Sequence, residues 1–190
     1  MKVIIIEGPD NTGKNTLIQS IIDNNQIVKL VHCAKPKDKV NPFKEQCETF
    51  SELARVAVYD YKANLEDVLV YNRFYQGEYV YGQMYRNGNR DAILAMMYDI
   101  EEYLLSNIGK DNIYYVQLVS TSNKLLKKND DGLSLSNADE EKISEENELF
   151  EEVFANSMLK KHIIYINEGD NFRTREDILL EFNDFINRGY

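Results

Sequence analysis

The sequence predicts an α/β domain in which a parallel β-sheet has helices on both faces. Short apolar runs rich in β-branched residues, such as residues 3–6, fit strands that are buried on both sides. These runs alternate with segments whose apolar residues recur at helical spacing, a pattern typical of parallel sheets with crossover helices. The chain of 190 residues is long enough for one core and shows no linker or internal repeat. We therefore expect a single domain over residues 1–190.

The first part of the chain contains three of the predicted strands. The strand at 3–6 precedes a helix at 14–24, whose leucine and isoleucine side chains form one apolar stripe. A second strand at 27–31 is followed by a polar loop with two prolines and then by a long helix at 44–64. The apolar run at 68–71 is the third strand.

The rest of the chain continues the alternation of helices and strands. Asn87-Gly88 separates two helices, and the polar, glycine-containing stretch before residue 140 fits a flap within the domain. The acidic run that follows is typical of the solvated face of a helix. The predicted elements are helices at 76–86 and 90–106, a strand at 112–119, helices at 121–128 and 140–160, a strand at 162–166 and a helix at 174–187.

Composition excludes several classes of partner and compartment. The net charge of −10 disfavours binding to nucleic acid or to an anionic membrane, since both need a basic field. No apolar stretch approaches the roughly 20 residues of a membrane span, and the N-terminal apolar run is no signal peptide. Cys33 and Cys47 lack CxxC spacing and fit free thiols in a reducing compartment. We expect a cytoplasmic protein; its richness in Asn, Lys, Ile and Tyr favours a phage, in the host cytoplasm, or a low-GC bacterium.

The first chemical motif is a phosphate-binding loop between the first strand and the first helix. Residues 8–14, GPDNTGK, satisfy the spacing GxxxxGK in the strand–loop–helix context that the motif requires. Its glycines let backbone N–H groups point inward, the helix adds its positive dipole end, and Lys14 adds a mobile charge. The residues expected to bind the phosphates of ATP are Gly8, Asn11, Thr12, Gly13, Lys14, Asn15 and Thr16.

Other classes of phosphate-loop protein fit less well. A regulatory GTPase should contain an NKxD motif, but Asn123-Lys124 is followed by Leu125 and Leu126. Nothing in the sequence resembles the signature of a transporter ATPase. The remaining class is that of small nucleoside or nucleotide kinases.

The second chemical motif is VLVYNRFYQGEYVYGQMYR at residues 68–86. A buried strand ends at Asn72-Arg73 and leads into a tyrosine-rich helix. Strand ends line the ligand crevice in open parallel sheets, where an arginine can bind a phosphate with a bidentate fork. The tyrosines fit either a substrate pocket or half-buried packing positions.

With these two segments the sequence resembles the thymidylate kinase family, especially phage deoxynucleotide kinases. The resemblance rests on IEGPDNTGKNTL at 6–17 and NRFYQGEYVYG at 72–82, and NEGDNF at 167–172 lies in a compatible place. It implies a three-layer P-loop NTPase fold whose five-stranded parallel sheet has the order 2-3-1-4-5. It also implies transfer of the γ-phosphate of ATP, with Mg²⁺, to a deoxynucleoside monophosphate, with dTMP or another pyrimidine nucleotide expected.

The resemblance also implies residue roles. A lid at about residues 124–140 would cover ATP, and Arg73 would bind the acceptor phosphate. The implied acceptor-binding set is Asp10, Phe43, Arg73, Glu78, Tyr81 and Tyr85. The implied catalytic set is Lys14, Asp10, Arg73, Lys127 and Lys128. The family often forms homodimers through helices beside the sheet, but the apolar face of helix 44–64 fits a dimer interface and an internal core equally well.

Three features depart from the family pattern, and all concern charge at the transferred phosphate. Asn15 replaces the Ser or Thr that ligates Mg²⁺, and Asn72 replaces an aspartate; both stay candidate metal ligands through their amide oxygens. The lid has no arginine, since none occurs between Arg90 and Arg173. An arginine at such a site contributes about 10³–10⁵ in rate, so we expect these changes to lower turnover.

Three functions are therefore compatible with the sequence. The first is an active deoxynucleoside monophosphate kinase with unusual metal ligands. The second is a nucleotide-binding protein of the same fold with little catalysis, in a regulatory or sequestering role. The third is a kinase that phosphorylates a deoxynucleoside. In each case we expect small nucleotides, and neither nucleic acid nor membranes, as partners.

Overall fold

The computed structural model describes residues 1–128, 134–136 and 139–188. Its central feature is a parallel sheet of five strands in the order β2-β3-β1-β4-β5, as expected. Every neighbouring pair in this sheet is parallel. The strands are β1 (Lys2–Glu7), β2 (Val28–His32), β3 (Val68–Asn72), β4 (Ile113–Val119) and β5 (Lys160–Tyr165).

The helices follow the alternation that the sequence predicts. They are α1 (Lys14–Asp23), α2 (Pro42–Ala63), α3 (Tyr75–Arg86), α4 (Arg90–Ile108), α5 (Asn123–Lys128), α6 (Glu140–Asn156) and α7 (Arg175–Arg188), with a 3₁₀ turn at Lys110–Asn112. No described helix is both long and apolar enough to cross a membrane. Part of the expected lid, residues 129–133 and 137–138, lies outside the described residues, so the single domain and its lid stay predictions.

The core has two halves because successive side chains of each strand point to opposite faces of the sheet. Val3 and Ile5 pack with residues of α2, α3, α4 and α6 on one face. Ile4 and Ile6 pack with residues of α1 and α7 on the other. A continuous apolar run therefore serves both faces, which confirms the interpretation of residues 3–6 as a strand buried on both sides.

Two predicted boundaries near the fifth strand are wrong. Helix α6 ends at Asn156 rather than at residue 160, because the buried Glu101 of α4 accepts hydrogen bonds from Ser157 Oγ (2.7 Å) and Met158 N (2.5 Å). Strand β5 then begins at Lys160, opposite Tyr114 of β4, rather than at residue 162. The sequence interpretation also missed a short antiparallel hairpin of β6 (Asn167–Glu168) and β7 (Asn171–Phe172).

The register of the sheet aligns the strand ends at one edge. Ile6 of β1 lies opposite Asn72 of β3, and Asn72 lies opposite His32 of β2. Glu7 pairs with Gln117 of β4. The loop after β1 and the turn after β3 therefore begin side by side at the carboxyl edge, where ligands bind in sheets of this type.

Candidate active site

The loop between β1 and α1 is a backbone cradle that depends on glycine. Gly8, Asn11 and Gly13 all have positive φ, of 134°, 64° and 78°. A Cβ atom added to Gly8 would lie 2.2 Å from the carbonyl oxygen of Leu118, so no other residue fits there. Gly13 has open space around it, and its conformation alone favours glycine.

Lys14 is buried at the start of α1, with 8% of its surface exposed. Its Nζ donates hydrogen bonds to the carbonyl oxygens of Gly8 (2.9 Å) and Pro9 (2.6 Å). Burial and, to a smaller extent, the nearby Arg73 lower the pKa of Lys14 to about 7, and Asp10 opposes the change. The ammonium is thus held inside the loop by carbonyl groups, at a position from which a phosphate can attract it.

A cavity of about 270 Å³ opens beside the loop, between α1 and the hairpin. The structure places four of the predicted ATP-binding residues along it: Asn11, Thr12, Gly13 and Thr16. Its opposite wall contains Phe172, Arg173 and Arg175, which the sequence interpretation did not include. Two arginines from the C-terminal part of the chain therefore border this cavity, although the expected lid segment contains no arginine.

Both arginines are held in place by acceptors of their own. Arg173 donates to the carbonyl oxygen of Tyr165 (2.8 Å) and to Glu181 (2.6 Å). Arg175 donates to Ser20 Oγ (2.6 Å) and to Asp23 (3.0 Å). The sequence signal for them was NEGDNFRTR, in which the arginines directly follow the segment that resembles the family.

Arg73 occupies an unusual turn at the end of β3. Its φ is 67°, and its N–H donates to the carbonyl oxygen of Ile6 (3.0 Å). The buried carboxylate of Glu7 accepts from the N–H groups of Phe74 (2.6 Å) and Gly77 (3.1 Å), so it caps the first turn of α3. Burial raises the pKa of Glu7 above its ordinary value. Glu7 therefore positions the turn that presents Arg73, a role that the sequence interpretation missed.

The guanidinium of Arg73 connects the two motifs. It forms an ion pair with Asp10 of the phosphate loop and donates to the hydroxyl of Tyr81 (2.9 Å). It also lies over the Tyr81 ring, 5.0 Å from the ring centroid. Because Asp10 and Tyr81 orient the fork from two sides, Arg73 is arranged to receive a planar or tetrahedral anion.

A second cavity, of about 220 Å³, lies beside Arg73 between α2 and α3. It contains the predicted residues Asp10, Arg73, Glu78 and Tyr81, together with Phe50, Gln46, Cys33 and Arg86. Phe43 is not among its lining residues; it borders a separate groove between α2 and α4. Phe50, two helical turns farther along the same face of α2, takes the position that we expected for Phe43.

Tyr85, a predicted acceptor-binding residue, contacts α6. Its hydroxyl donates to Glu146 of α6 (2.9 Å), and its ring stacks near Tyr81 with 6.2 Å between centroids. Burial, with a smaller contribution from Asp10, raises the pKa of Glu146 to about 7, and the hydrogen bond from Tyr85 opposes the rise. Glu146 borders a small space together with Asp10 and Lys127. The sequence interpretation did not single it out, because it lies in a run of acidic residues.

The two candidate metal ligands contact each other. Asn72 Nδ2 donates to Asn15 Oδ1 (2.8 Å) and lies 3.1 Å from His32 Nδ1. The pair is neutral at the two positions where the family resemblance implies a hydroxyl and an aspartate. Within the described ranges, no group of three His, Cys, Asp or Glu residues is arranged to hold a metal. The role of the two asparagines as metal ligands stays a prediction.

The described residues of the segment expected to form the lid lie close to the phosphate loop, on the side of the second cavity. The backbone N–H of Leu135 lies 3.4 Å from Asp10 Oδ2, and Leu135 borders the cavity beside Arg73. Lys127 forms an ion pair with Glu140 (3.3 Å) and borders the small space next to Pro9. Lys128 ends α5 and is exposed. The catalytic roles of both lysines stay predictions.

The far wall of the second cavity is an ion pair on α3. Arg86 donates to Glu78 (2.6 Å), and the side chains are 18% and 3% exposed. Burial raises the pKa of Glu78, and Arg86 opposes that rise. Gly82 lies between them on the same helical face, and a Cβ atom there would lie 2.6 Å from Glu78 Oε1. The missing side chain gives the ion pair its space.

No protein-family model and no curated protein sequence matches the chain. Among solved structures, the chain is similar to the YorR protein of Bacillus subtilis, solved in complex with phosphorylated GDP. The TM-score is 0.69 at 19% identity, covering 97% of this chain and 95% of that one.

Two other solved structures are also similar. Thymidylate kinase of Ehrlichia chaffeensis gives a TM-score of 0.57 at 14% identity, covering 97% of this chain and 98% of that one. Deoxyadenosine kinase of M. mycoides with bound dATP gives 0.58 at 12% identity, covering 97% and 99%. The sheet order and the helices on both faces agree with these neighbours. The chain therefore has the P-loop kinase fold that these nucleotide and nucleoside kinases share.

Proposed function

We propose that the chain is a deoxynucleoside monophosphate kinase that transfers the γ-phosphate of ATP to the 5′-phosphate of its acceptor. The observation that supports this most strongly is the arrangement of two cavities around one phosphate loop. The cavity of about 270 Å³ borders Asn11, Thr12 and Gly13, and that of about 220 Å³ borders Asp10 and Arg73. A donor and an acceptor nucleotide placed in them would meet at the loop.

The side chains of the loop and of Arg73 would then act by binding and orienting charge. The loop amides and Lys14 would hold the β- and γ-phosphates of ATP, and Arg73 would hold the acceptor phosphate. An acceptor oxygen forms the new bond to the γ-phosphorus while the bond from the γ-phosphorus to the oxygen that bridges to the β-phosphate breaks. A dianionic acceptor needs no base for this step, so catalysis depends on positioning and charge.

Mg²⁺ would neutralise part of the phosphate charge when it arrives with ATP. Asn15 and Asn72 would offer amide oxygens to that ion, and their neutrality would make them weak ligands. The remaining positive charge on the donor side would come from Lys14 and from the two arginines beside the donor cavity.

The Asn15–Asn72 hydrogen bond also favours a second candidate function, a nucleotide-binding protein with little catalysis. In such a protein the amide pair would leave the metal poorly held, and nucleotide would bind without rapid turnover. A deoxynucleoside acceptor, the third candidate, is less consistent with Arg73, because a nucleoside has no phosphate for the oriented fork to bind.

An assay of ADP release over a panel of deoxynucleoside monophosphates and deoxynucleosides, with and without Mg²⁺, tests the proposal. We expect Mg²⁺-dependent turnover of at least one monophosphate. Binding of ATP and of a monophosphate without turnover would favour the second candidate, and turnover of nucleosides alone would favour the third. A cytoplasmic location and a homodimer stay predictions from the sequence.

A further inference from the structure

The wall of the acceptor cavity that lies away from the phosphate loop contains polar side chains that the transfer step does not use. Gln46 of α2 and the Glu78–Arg86 pair of α3 all border this cavity. Arg73 binds at the other end, so the wall is where the base of an acceptor nucleotide would lie. Phe50 and Phe74 supply the apolar surface between them.

Gln46 has an acceptor atom that lacks a partner. The residue is 4% exposed, and its Nε2 donates to the carbonyl oxygen of Ala34 (3.3 Å), which fixes the orientation of the amide. Its Oε1 is buried and has no hydrogen-bond partner among the residues that the structure describes. A buried acceptor of this kind needs a donor, and a ligand in the adjoining cavity can provide one.

The ion pair on α3 adds one further acceptor and one donor. Helical side chains lean toward the N-terminus, so Arg86 reaches back over Gly82 to Glu78. Ionised Glu78 can only accept hydrogen bonds, and the buried Nε of Arg86 has no partner within the described ranges. The wall therefore offers two acceptor side chains, Gln46 and Glu78, and one donor side chain, Arg86.

This inventory distinguishes between the bases. An exocyclic amino group donates two hydrogen bonds, enough for both acceptor side chains, and cytosine, adenine and guanine each place a ring nitrogen or carbonyl acceptor nearby for the arginine. Thymine and uracil have one N–H between two carbonyl groups. With either of them, one buried acceptor would stay unpaired and a carbonyl oxygen would face another oxygen.

We propose that the acceptor base has an exocyclic amino group, and that Gln46, Glu78 and Arg86 select it against thymine and uracil. The inference rests on the proposed function, because it assigns the base end of the same acceptor site. It differs from the family resemblance, which implies dTMP as the acceptor. A pyrimidine acceptor stays compatible with the inference if its base is cytosine.

Matched pairs of nucleotides test this preference in binding, without any need for turnover. In dCMP and dAMP an amino group stands where dUMP and dIMP have a carbonyl group, and the neighbouring ring nitrogen is an acceptor instead of a donor. dGMP and dIMP differ only by the 2-amino group. In calorimetric titrations without ATP, we expect at least one amino base to bind about tenfold or more tightly than its counterpart, since one unpaired buried acceptor costs about that factor. Equal or tighter binding of every counterpart, or of dTMP, overturns the inference.

Variants test the roles of these side chains. Glu78→Gln keeps the shape of the side chain but adds a donor, so the preference within the responsive pair should fall at least about threefold. Because it also leaves Arg86 without its buried carboxylate, the unfolding temperature should fall, and the titrations are made at a temperature at which every variant is folded. Gln46→Leu should lower the same ratio. Glu52→Gln, at an exposed acid of α2, is the matched control and should leave the ratio unchanged. A ratio that survives both pocket variants contradicts the assignment of this wall.

The outcome also separates this inference from the proposed function. Turnover with a preference for dTMP or dUMP would overturn the inference but support the proposed kinase function. Preferential binding of amino bases without any turnover would overturn the proposed kinase function but support the inference about the base. Failure of every monophosphate to bind would overturn both.

Discussion

The two halves of the candidate active site are built by different means. On the donor side, the loop from Gly8 to Gly13 depends on backbone conformation, with three positive φ angles and one close approach to Leu118. On the acceptor side, the pocket depends on paired side chains, with Arg73 on Asp10 and Arg86 on Glu78. A backbone cradle tolerates few substitutions, whereas a pocket of side-chain pairs can change its ligand and keep its fold. A single substitution in the donor half should therefore abolish ATP binding, whereas substitutions in the acceptor half should weaken or change acceptor binding gradually.

The largest expected effect is that of Gly8→Ala. Strain at positive φ adds to the overlap with the carbonyl of Leu118, so the free energy of unfolding should fall by about 3 kcal/mol or more, with loss of ATP binding. Urea denaturation and ATP titration measure both. Gly169→Ala is the matched control, since its φ is 57° and nothing lies within 4 Å, so strain alone should cost about 1 kcal/mol. Equal losses in the two variants would contradict the role of close approach.

Arg73→Ala should damage the acceptor half alone. Loss of a buried charged contact with a bound phosphate costs about 2–5 kcal/mol, so kcat/KM for the acceptor should fall about 30-fold or more. The affinity for ATP should not fall, because removing Arg73 also removes a charge that lowers the pKa of Lys14. Steady-state kinetics and ATP titration check the two halves separately. Arg55→Ala, at an exposed arginine, is the control. An equal loss of ATP affinity would show that the halves are not independent.

The pH dependence of binding should also differ between the halves. Because the pKa of Lys14 is lowered to about 7, the free protein has a neutral amine above that pH, and ATP must bring a proton to restore the charge. ATP affinity should then fall by up to about tenfold per pH unit from about 7.5 to 9.5. Acceptor binding through Arg73, which stays charged, should change little over the same range. Calorimetric titrations over this range measure both affinities. An equal loss of ATP affinity and acceptor affinity would show that Lys14 is not the cause.

The smallest expected effect concerns the amide pair where the halves meet. Asn15→Ser and Asn72→Asp should each raise Mg²⁺-dependent turnover a few-fold by restoring metal ligands. Because the two amides lie 2.8 Å apart, the double variant should not be additive. Steady-state kinetics over a range of Mg²⁺ concentrations measure both, and Asn25→Ser serves as an exposed control. A loss of turnover in both single variants and in the double variant, but not in Asn25→Ser, would mean that the site is built around the asparagines.

The sequence predicted the parts of the site that lie in one continuous segment. The phosphate loop and Arg73 each follow a buried strand, and the alignment of strand ends brought them together as expected. Glu146 and Gln46 reach the site from distant helices, and no local pattern marks them. Arg175 follows the segment NEGDNF, but that segment alone does not show which cavity the side chain borders. Phe43 and Phe50 show the limit clearly: they are seven residues apart on one face of α2, and helical spacing cannot tell which one reaches the cavity.

Helix α3 contains two interior glycines, and both face carboxylates. A Cβ atom at Gly77 would lie 3.3 Å from Glu7 Oε1, and one at Gly82 would lie 2.6 Å from Glu78 Oε1. Each glycine costs the helix about 0.5–1 kcal/mol relative to alanine. A search for thermostable variants that replaces helical glycines by alanine would select these positions first. In this helix, the substitutions that favour the helical backbone would crowd the groups that position Arg73 and recognise the base.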